Sequence, residues 1–283
     1  MQILQTAAAL QAQTETWRRE GQRIGLVPTM GALHEGHLQL VRAAAQECDV
    51  VVVSIFVNPT QFNNPEDYRL YPRLPEADAD LLEPAGCTAL FLPSVEEMYP
   101  RPTVLHFDFG SLERVMEGAH RPGHFNGVAT VVSKLFHLCR PHRAYFGQKD
   151  FQQVAIVRQL VQDLSFDLEL VAFPTIREED GLAMSSRNRR LSSEARLVAP
   201  ALYQALQKAE QLVQERAAPD VVRAAAIEAL SHQPSIMLEY FEVADAATLQ
   251  PVTAWQPEQL VALCLAAQIG GVRLIDNVVV KMA

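Results

Sequence analysis

Between residues 24 and 176, short apolar runs alternate with longer stretches whose apolar positions recur every three or four residues. That alternation is expected of strands and helices in a parallel α/β sheet. Residues 24–27, 50–57, 88–92, 144–146 and 168–173 read as strands, several of them with little polar alternation, as helices on both faces of a sheet require. Residues 37–47, 128–138 and 151–164 read as the clearest helices between them. After Arg177 the texture changes. A polar stretch, 177–190, leads into the Ala-, Leu- and Gln-rich segment 192–216, read as one long helix that Ser192 or Ser193 could cap. Residues 219–230 read as another helix, and 237–243, 260–267 and 272–280 as strands with turn-forming Gly270 and Gly271 between the last two. The pattern predicts a parallel sheet with helices on both faces over residues 1–176, then a smaller α+β C-terminal domain over residues 177–283. Residues 64–75 carry three prolines among charged and tyrosine residues, too long for a tight connection, and are expected to form a mobile lid.

Composition agrees with two globular domains: the chain has 283 residues, 49% hydrophobic and 20% charged, which argues against disorder, a collagen-like repeat and a coiled coil. The net charge of −9 repels phosphate backbones, so broad nucleic-acid binding is disfavoured. A few placed cations and backbone N–H groups still suffice for a small anion. Cys48, Cys87, Cys139 and Cys264 are scattered with no CxxC pair, so neither a zinc cluster nor a disulfide framework is expected, and a reducing cytoplasm is. The apolar start at 7–10 is broken by Gln11 and Gln13, unlike a secretory leader. The strongest apolar run, 50–57, falls far short of the ~18 residues a membrane helix needs.

The chemistry-bearing stretch is Pro28-Thr29-Met30-Gly31-Ala32-Leu33-His34-Glu35-Gly36-His37, which follows the first of these strands and opens the first helix. Ligands of open α/β sheets bind at carboxyl ends of strands, and a helix start offers unpaired N–H groups to an anion. His34 and His37, three apart, share a face there and can donate to phosphate oxygens as charge builds in a transition state. Two surface histidines at a helix start are the plain alternative. Zinc proteases need His at i and i+4, and no GxxxxGK[ST], GxGxxG or GxSxG pattern occurs. Gly147-Gln148-Lys149-Asp150 precedes the helix carrying Gln152 and Gln153; Lys149 can meet a phosphate and a glutamine a polar substrate, or Asp150 merely caps the helix. Met184-Ser185-Ser186-Arg187-Asn188 suits a phosphate clamp, or is a polar interdomain loop. Gln61, after Asn58 and Pro59, can donate and accept at once, or belongs to a plain turn. His120, Arg121 and His124 rank lower, since nothing in the sequence turns Arg121 inward, and Glu178, Glu179 and Asp180 read as a solvated face.

Taken in order, PTMGALHEGH, VNPTQF, EGAHRPGHFNGVATVVSKLF, FGQKDFQQ and LAMSSRN resemble the pantothenate synthetase (pantoate–β-alanine ligase) family. The resemblance covers the first domain and its junction; the second domain matches mainly in length and texture. It implies a Rossmann-like ATP- and pantoate-binding domain of the HxGH nucleotidyltransferase superfamily, with the C-terminal domain closing over the ATP site. It implies a homodimeric cytoplasmic ligase that turns pantoate and ATP into pantoyl adenylate and pyrophosphate, then lets β-alanine displace AMP to give pantothenate, a coenzyme A precursor. By the same matching, Met30, Gly31, Ala32, Leu33, His34, Glu35, Gly36 and His37 line the ATP site and His37 is the proton donor. Gly147, Gln148, Lys149, Asp150, Ile176, Met184, Ser185, Ser186 and Arg187 contact ATP, with Lys149 and Arg187 on its phosphates and His34 among the catalytic groups. Gln61 and Gln153 hold pantoate, and Gln61 also positions β-alanine. Mg²⁺ accompanies the triphosphate, with no metal site of the protein's own assigned. Gln148 stands where relatives often have Glu, and His142 where an acidic residue is common. Two other readings share these motifs: a different HxGH nucleotidyltransferase, and a non-catalytic ATP-binding module.

Overall fold

In the computed structural model, which describes residues 1–282, the run at 50–57 is a strand buried along its whole length, Val50–Ile55. The elements in chain order are β1 (Gln2–Leu4), α1 (Ala7–Arg19), β2 (Ile24–Thr29), α2 (Glu35–Glu47), β3 (Val50–Ile55), α3 (Pro65–Leu70), α4 (Pro75–Leu82), β4 (Ala89–Phe91), α5 (Val95–Met98), α6 (Met116–His120) and α7 (His124–Cys139). Then follow β5 (Arg143–Gly147), α8 (Phe151–Asp163), β6 (Glu169–Phe173), α9 (Ser193–Val198), α10 (Ala201–Gln214), α11 (Pro219–Ser231), β7 (Ile236–Asp245), β8 (Leu260–Ile269) and β9 (Val272–Lys281). Two units divide the chain: residues 1–109, 121–148 and 156–174 form one, and residues 110–120, 149–155 and everything from Thr175 on form the other. The main division lies two residues from the sequence boundary, and two earlier segments group with the second unit.

The first unit holds six parallel strands in the order β1-β4-β3-β2-β5-β6. Successive strand residues face opposite sides of a sheet. Val27, Val51, Val53 and Leu90 pack with Leu38, Val41, Ala44 and Leu82 of α2 and α4. Leu26 and Val52, which point the other way, are fully buried too, so both faces are covered. The strand order runs outward from β2 through β3 and β4, then resumes at β5 on the other side of β2. Such a reversal opens a crevice at the carboxyl ends of the two strands.

The second unit is built on the antiparallel sheet β7-β8-β9. Val261, Leu263, Leu265 and Ala267 of β8 pack in one core with Leu202, Leu206, Val222 and Leu230 of α10 and α11. The alternate residues Ala262, Cys264 and Ala266 pack with Met116, Ala155, Leu112 and Phe151, which is why 110–120 and 149–155 belong here. Gly270 and Gly271, both at positive φ, make the two-residue turn between Ile269 and Val272.

Two expectations are corrected. The segment 192–216 is two helices, because Pro200 has no N–H to donate and α10 starts anew at Ala201; Ser192 caps α9, its Oγ accepting from the Ala195 amide. Three N-terminal residues and 7–19, given no element in the sequence reading, form β1 and α1. Residues 64–75 contain α3, whose cap is Asn64 (Oδ1 accepting from the Glu66 amide at 2.8 Å). Phe62 meets Tyr68 and Tyr71 edge-on at 5.4 and 5.8 Å, and Tyr71 is buried.

Candidate active site

β2 ends at Thr29, whose hydroxyl donates to the Ser54 carbonyl (2.8 Å) and accepts from the Gly31 amide (3.2 Å). The chain then passes through two left-handed residues, Gly31 at φ 80° and Ala32 at φ 51°. Glycine is needed at 31, where a Cβ would lie 2.9 Å from Ile55 Cγ2 and 3.0 Å from Asp78 Oδ2. The amides of Ala32 and Leu33 donate to the two oxygens of Asp78, at 2.8 and 2.7 Å. Asp78 comes from α4 and is 2% exposed. His34 is extended (φ −139°) and stands just before α2.

The His34 amide donates to His37 Nδ1 at 3.4 Å, and the two rings lie 4.0 Å apart. A ring nitrogen that accepts carries no proton, so the neutral His37 ring holds its proton on Nε2 and offers it as a donor. The amides of Glu35 and Gly36 stand at the open end of α2, where the helix dipole favours negative charge.

Gln61 ends a single 3-10 turn, Pro59–Gln61, and is buried. Its Nε2 donates to Met30 Sδ (3.1 Å), and its Oε1 accepts from Asn58 Nδ2 (3.1 Å). Asn58 is 1% exposed and satisfied on both sides: Nδ2 donates to the Gly127 carbonyl (3.1 Å), while Oδ1 accepts from Tyr99 Oη (2.8 Å) and Thr60 Oγ1 (2.9 Å). Burial holds the Tyr99 phenol above its usual pKa. The Gln61 carbonyl receives Arg121 Nη2 (3.2 Å) and meets His124 Nδ1 (2.8 Å). Arg121 therefore faces this turn, contrary to the sequence reading, and so does His124. Gly147 ends β5, the neighbour of β2 at the strand-order reversal, and the Gln148 amide donates to the Phe173 carbonyl at 2.7 Å.

In the second unit, Lys149 and Asp150 lead into α8, and Asn277 Nδ2 donates to the Lys149 carbonyl at 2.8 Å. Gln152 is buried, its Nε2 donating to the Leu112 and Val115 carbonyls at 2.6 and 3.0 Å. Of the two glutamines, Gln153 is the half-buried one. Ile176 and Met184 are joined by the Met184 amide donating to the Ile176 carbonyl (2.9 Å), closing a small hairpin. Ser185 Oγ accepts from the Arg187 amide (3.2 Å) and caps the 3-10 turn Ser186–Arg190.

Beside the hairpin, Arg177 is held by Asp276 (2.6 and 3.0 Å), by the Gly181 and Asn277 carbonyls, and by the Tyr203 ring, 3.7 Å from its guanidinium. Burial pushes the Asp276 carboxyl up, and Arg177 pulls against it. Glu178 and Asp180 both pair with Arg196 (2.6 and 2.5 Å), which holds the Asp180 carboxyl below its usual value, while Glu179 and Asp180 remain exposed and Glu178 is half-buried.

The structure thus joins Met30 to Gln61 and His34 to His37 in the first unit, and Ile176 to Met184 in the second. Lys149, Asp150 and Gln153 stand at the start of α8, and Arg187 in the separate 3-10 turn. No sequence pattern pointed to Asp78, Asn58, Tyr99, Asp276 or Asn277 as supports. One signal existed for Asp78: it sits four residues from the buried Leu82, a carboxylate on the apolar side of its helix.

Residues 2–279 match the family model described as pantoate-beta-alanine ligase. The chain is 51% identical over 278 residues to the pantothenate synthetase of Porphyromonas gingivalis, covering 98% of this chain and 99% of that one. It is 50% identical over 281 residues to that of Bacteroides fragilis, covering 99% of each. Among solved structures, it is similar to the pantothenate synthetase of Thermus thermophilus, with a TM-score of 0.92 at 45% identity over 98% of this chain and 99% of that chain. It is also similar to the pantoate-beta-alanine ligase of Francisella tularensis complexed with beta-gamma ATP and beta-alanine, with a TM-score of 0.82 at 35% identity over 98% and 97%.

Proposed function

Because this chain belongs to the pantoate–β-alanine ligase family and is a ligase, we propose that it condenses pantoate with β-alanine through a pantoyl-adenylate intermediate. In the first step a carboxylate oxygen of pantoate attacks the α-phosphorus of ATP, the bond from that phosphorus to the bridging oxygen breaks, and pyrophosphate leaves. In the second the β-alanine amine attacks the acyl carbon, the acyl–oxygen bond breaks toward AMP, and the nitrogen gives up a proton. The product is pantothenate.

The observation that carries this reading is the pair His34 and His37 at the start of α2, with the His37 proton directed to Nε2 by the His34 amide. A fixed N–H donor at the positive end of a helix is suited to charge growing on phosphate oxygens. Gln61 supports the choice of acid: with Oε1 engaged by Asn58, its amide orientation is set, and an uncharged amide suits pantoate better than a phosphorylated substrate. We assign pantoate to Gln61 and Gln153 and β-alanine to Gln61. ATP is assigned to Met30 through His37, Gly147 through Asp150, Ile176 and Met184 through Arg187, with Lys149 and Arg187 on the phosphates. Positioning and charge stabilisation then supply most of the rate, as in phosphoryl transfer generally.

Among the described residues no three His, Cys, Asp or Glu side chains gather into a metal-binding group, and both oxygens of buried Asp78 are engaged by amides. That donor set fits Mg²⁺ held mainly by phosphate oxygens, where it would neutralise their charge. We further propose, from the family resemblance, a homodimer, and place it in the cytoplasm, whose reducing medium suits four free thiols. Sedimentation equilibrium tests the dimer.

The deciding experiment is exchange of labelled pyrophosphate into ATP, with and without pantoate, before β-alanine is added. Pantoate-dependent exchange, followed by AMP release on adding β-alanine, is the expected outcome. Exchange supported only by a phosphorylated acceptor, or ATP binding without any exchange, would replace this reading with another transferase or a binding module.

A further inference from the structure

We propose that Asp78 is a positioning residue for adenylation: its buried carboxylate holds the turn that carries His34 and His37 and, by taking two amides of that turn, directs the ATP phosphates to the start of α2. The proposal rests on the function proposed above. Asp78 lies outside every motif and has no part in the chemical steps, yet both of its oxygens end on this turn.

Consecutive N–H groups in a turn with left-handed residues form a concavity that binds anions. Here that concavity, at Gly31 and Ala32, is filled from within the fold by a side-chain carboxylate. Four successive amides each end on a side chain of the same unit: Gly31 on Thr29 Oγ1, Ala32 and Leu33 on Asp78, and His34 on His37 Nδ1. A phosphate group cannot share the donors that Asp78 occupies. The next backbone donors along the chain are those of Glu35 and Gly36, at the positive end of α2 and beside the two histidine rings.

The link to His37 runs through the backbone. Charge-assisted bonds are the short, strong kind, and the two from Asp78 fix Ala32 and Leu33 directly before His34. The His34 amide in turn reaches His37 Nδ1 and so sets which ring nitrogen carries the proton. Without the carboxylate, the turn loses the acceptors for two buried amides, and neither the His34 amide nor the His37 proton stays aimed.

The test uses Asp78→Asn, which keeps the shape but replaces one acceptor by an NH₂ group, and Asp78→Ala, which removes both acceptors. Pantoate-dependent pyrophosphate exchange should fall by roughly 10²-fold in Asp78→Asn, the scale of a misaligned catalytic group. AMP release from added synthetic pantoyl adenylate and β-alanine should change by less than about threefold, since the β- and γ-phosphates that the turn is proposed to direct are absent from that half-reaction and charge grows only on the departing AMP oxygen. A purely structural defect would slow both half-reactions together and would disappear at temperatures where the variant is fully folded. Amide hydrogen exchange should show residues 31–34 protected in the wild-type protein and selectively exposed in Asp78→Asn.

Unchanged adenylation in Asp78→Asn, or equal slowing of both half-reactions, would overturn the proposal. So would unprotected Ala32 and Leu33 amides in the wild-type protein, a measurement that stands even if Asp78→Ala does not fold. If the wild-type protein shows no pantoate-dependent exchange, the ligase reading fails instead. ATP titration of wild type and Asp78→Asn then decides separately: identical affinities reject the positioning role, and weaker binding in the variant retains it.

Discussion

His37 shows how one backbone contact sets the function of a side chain. The His34 amide reaches Nδ1, so Nε2 is the nitrogen that carries the proton of the neutral ring, and a donor that acts only as charge builds should appear in kcat. We expect His37→Ala to lower kcat for pyrophosphate exchange by about 10²-fold or more; an unaltered kcat would remove His37 from the chemistry. Tyr99 acts at one remove. Tyr99→Phe takes away one of the hydroxyls on Asn58 Oδ1 but leaves Thr60 in place. A net hydrogen bond of about 0.5–1.5 kcal/mol predicts a KM for pantoate raised about two- to tenfold with kcat nearly unchanged, read from steady-state kinetics. At this scale the sequence was legible where the chemistry is local. His34 and His37 lie within one helical turn, whereas Asn58 meets Tyr99 and Gly127 only after folding, and no spacing rule connects them.

Among elements, the approach of α7 to the turn Pro59–Gln61 is the tightest near Gln61. A Cβ on Gly127 would lie 2.3 Å from the Thr60 carbonyl oxygen and 2.8 Å from the Gln61 nitrogen, both backbone atoms. Gly127→Ala should therefore cost about 1–3 kcal/mol, seen as a lower Tm, and should also raise the KM for pantoate because the displaced turn is the one that carries Gln61. In the second unit, Asp276→Ala leaves the Arg177 guanidinium without its buried carboxylate partner, and breaking such a pair costs about 3–5 kcal/mol. Chemical denaturation would measure it, and a change under about 1 kcal/mol would mean that Arg177 finds enough elsewhere in Gly181, Asn277 and Tyr203. The buried strands were readable because a run such as Val50–Ile55 has no polar face to confuse it. The placement of 110–120 and 149–155 was not readable, because their partners are the small residues Ala262, Cys264 and Ala266, which signal nothing until the sheet is assembled.

For the whole molecule, the pH dependence of stability has two windows. His142 Nδ1 accepts from the Ile24 amide at 2.9 Å, and burial first, then the nearby Arg18, holds its pKa below 6.5. The folded protein thus favours the neutral ring, and the unfolded chain takes up the proton first as pH falls. This contribution is complete above about 6.5 and is lost as pH drops from there through the lowered folded value. His142→Asn, which keeps an acceptor but cannot titrate, should flatten the decline in Tm between about pH 7 and 5; an unchanged slope would assign the decline to other groups. A second loss begins lower. Glu35, Glu47 and Asp180 are held below their usual values by hydrogen bonds from Arg42, Tyr145 and Arg196 respectively, so their stabilisation is present above the unfolded carboxylate range and fades as pH falls through their folded values.

The strand order also governs the sequence of events in folding. β1 is made first, yet its partner is β4, with Gln2 opposite Ala89 and Leu4 opposite Phe91. Closing so long a loop costs entropy before any ladder bond repays it. The central strands β2 and β3, joined by α2 and paired residue for residue from Ile24 opposite Val50, form a much shorter loop and can assemble while β1 is still free. The first strand of the chain is therefore among the last to dock, and a nascent chain must keep it from other edges until β4 arrives.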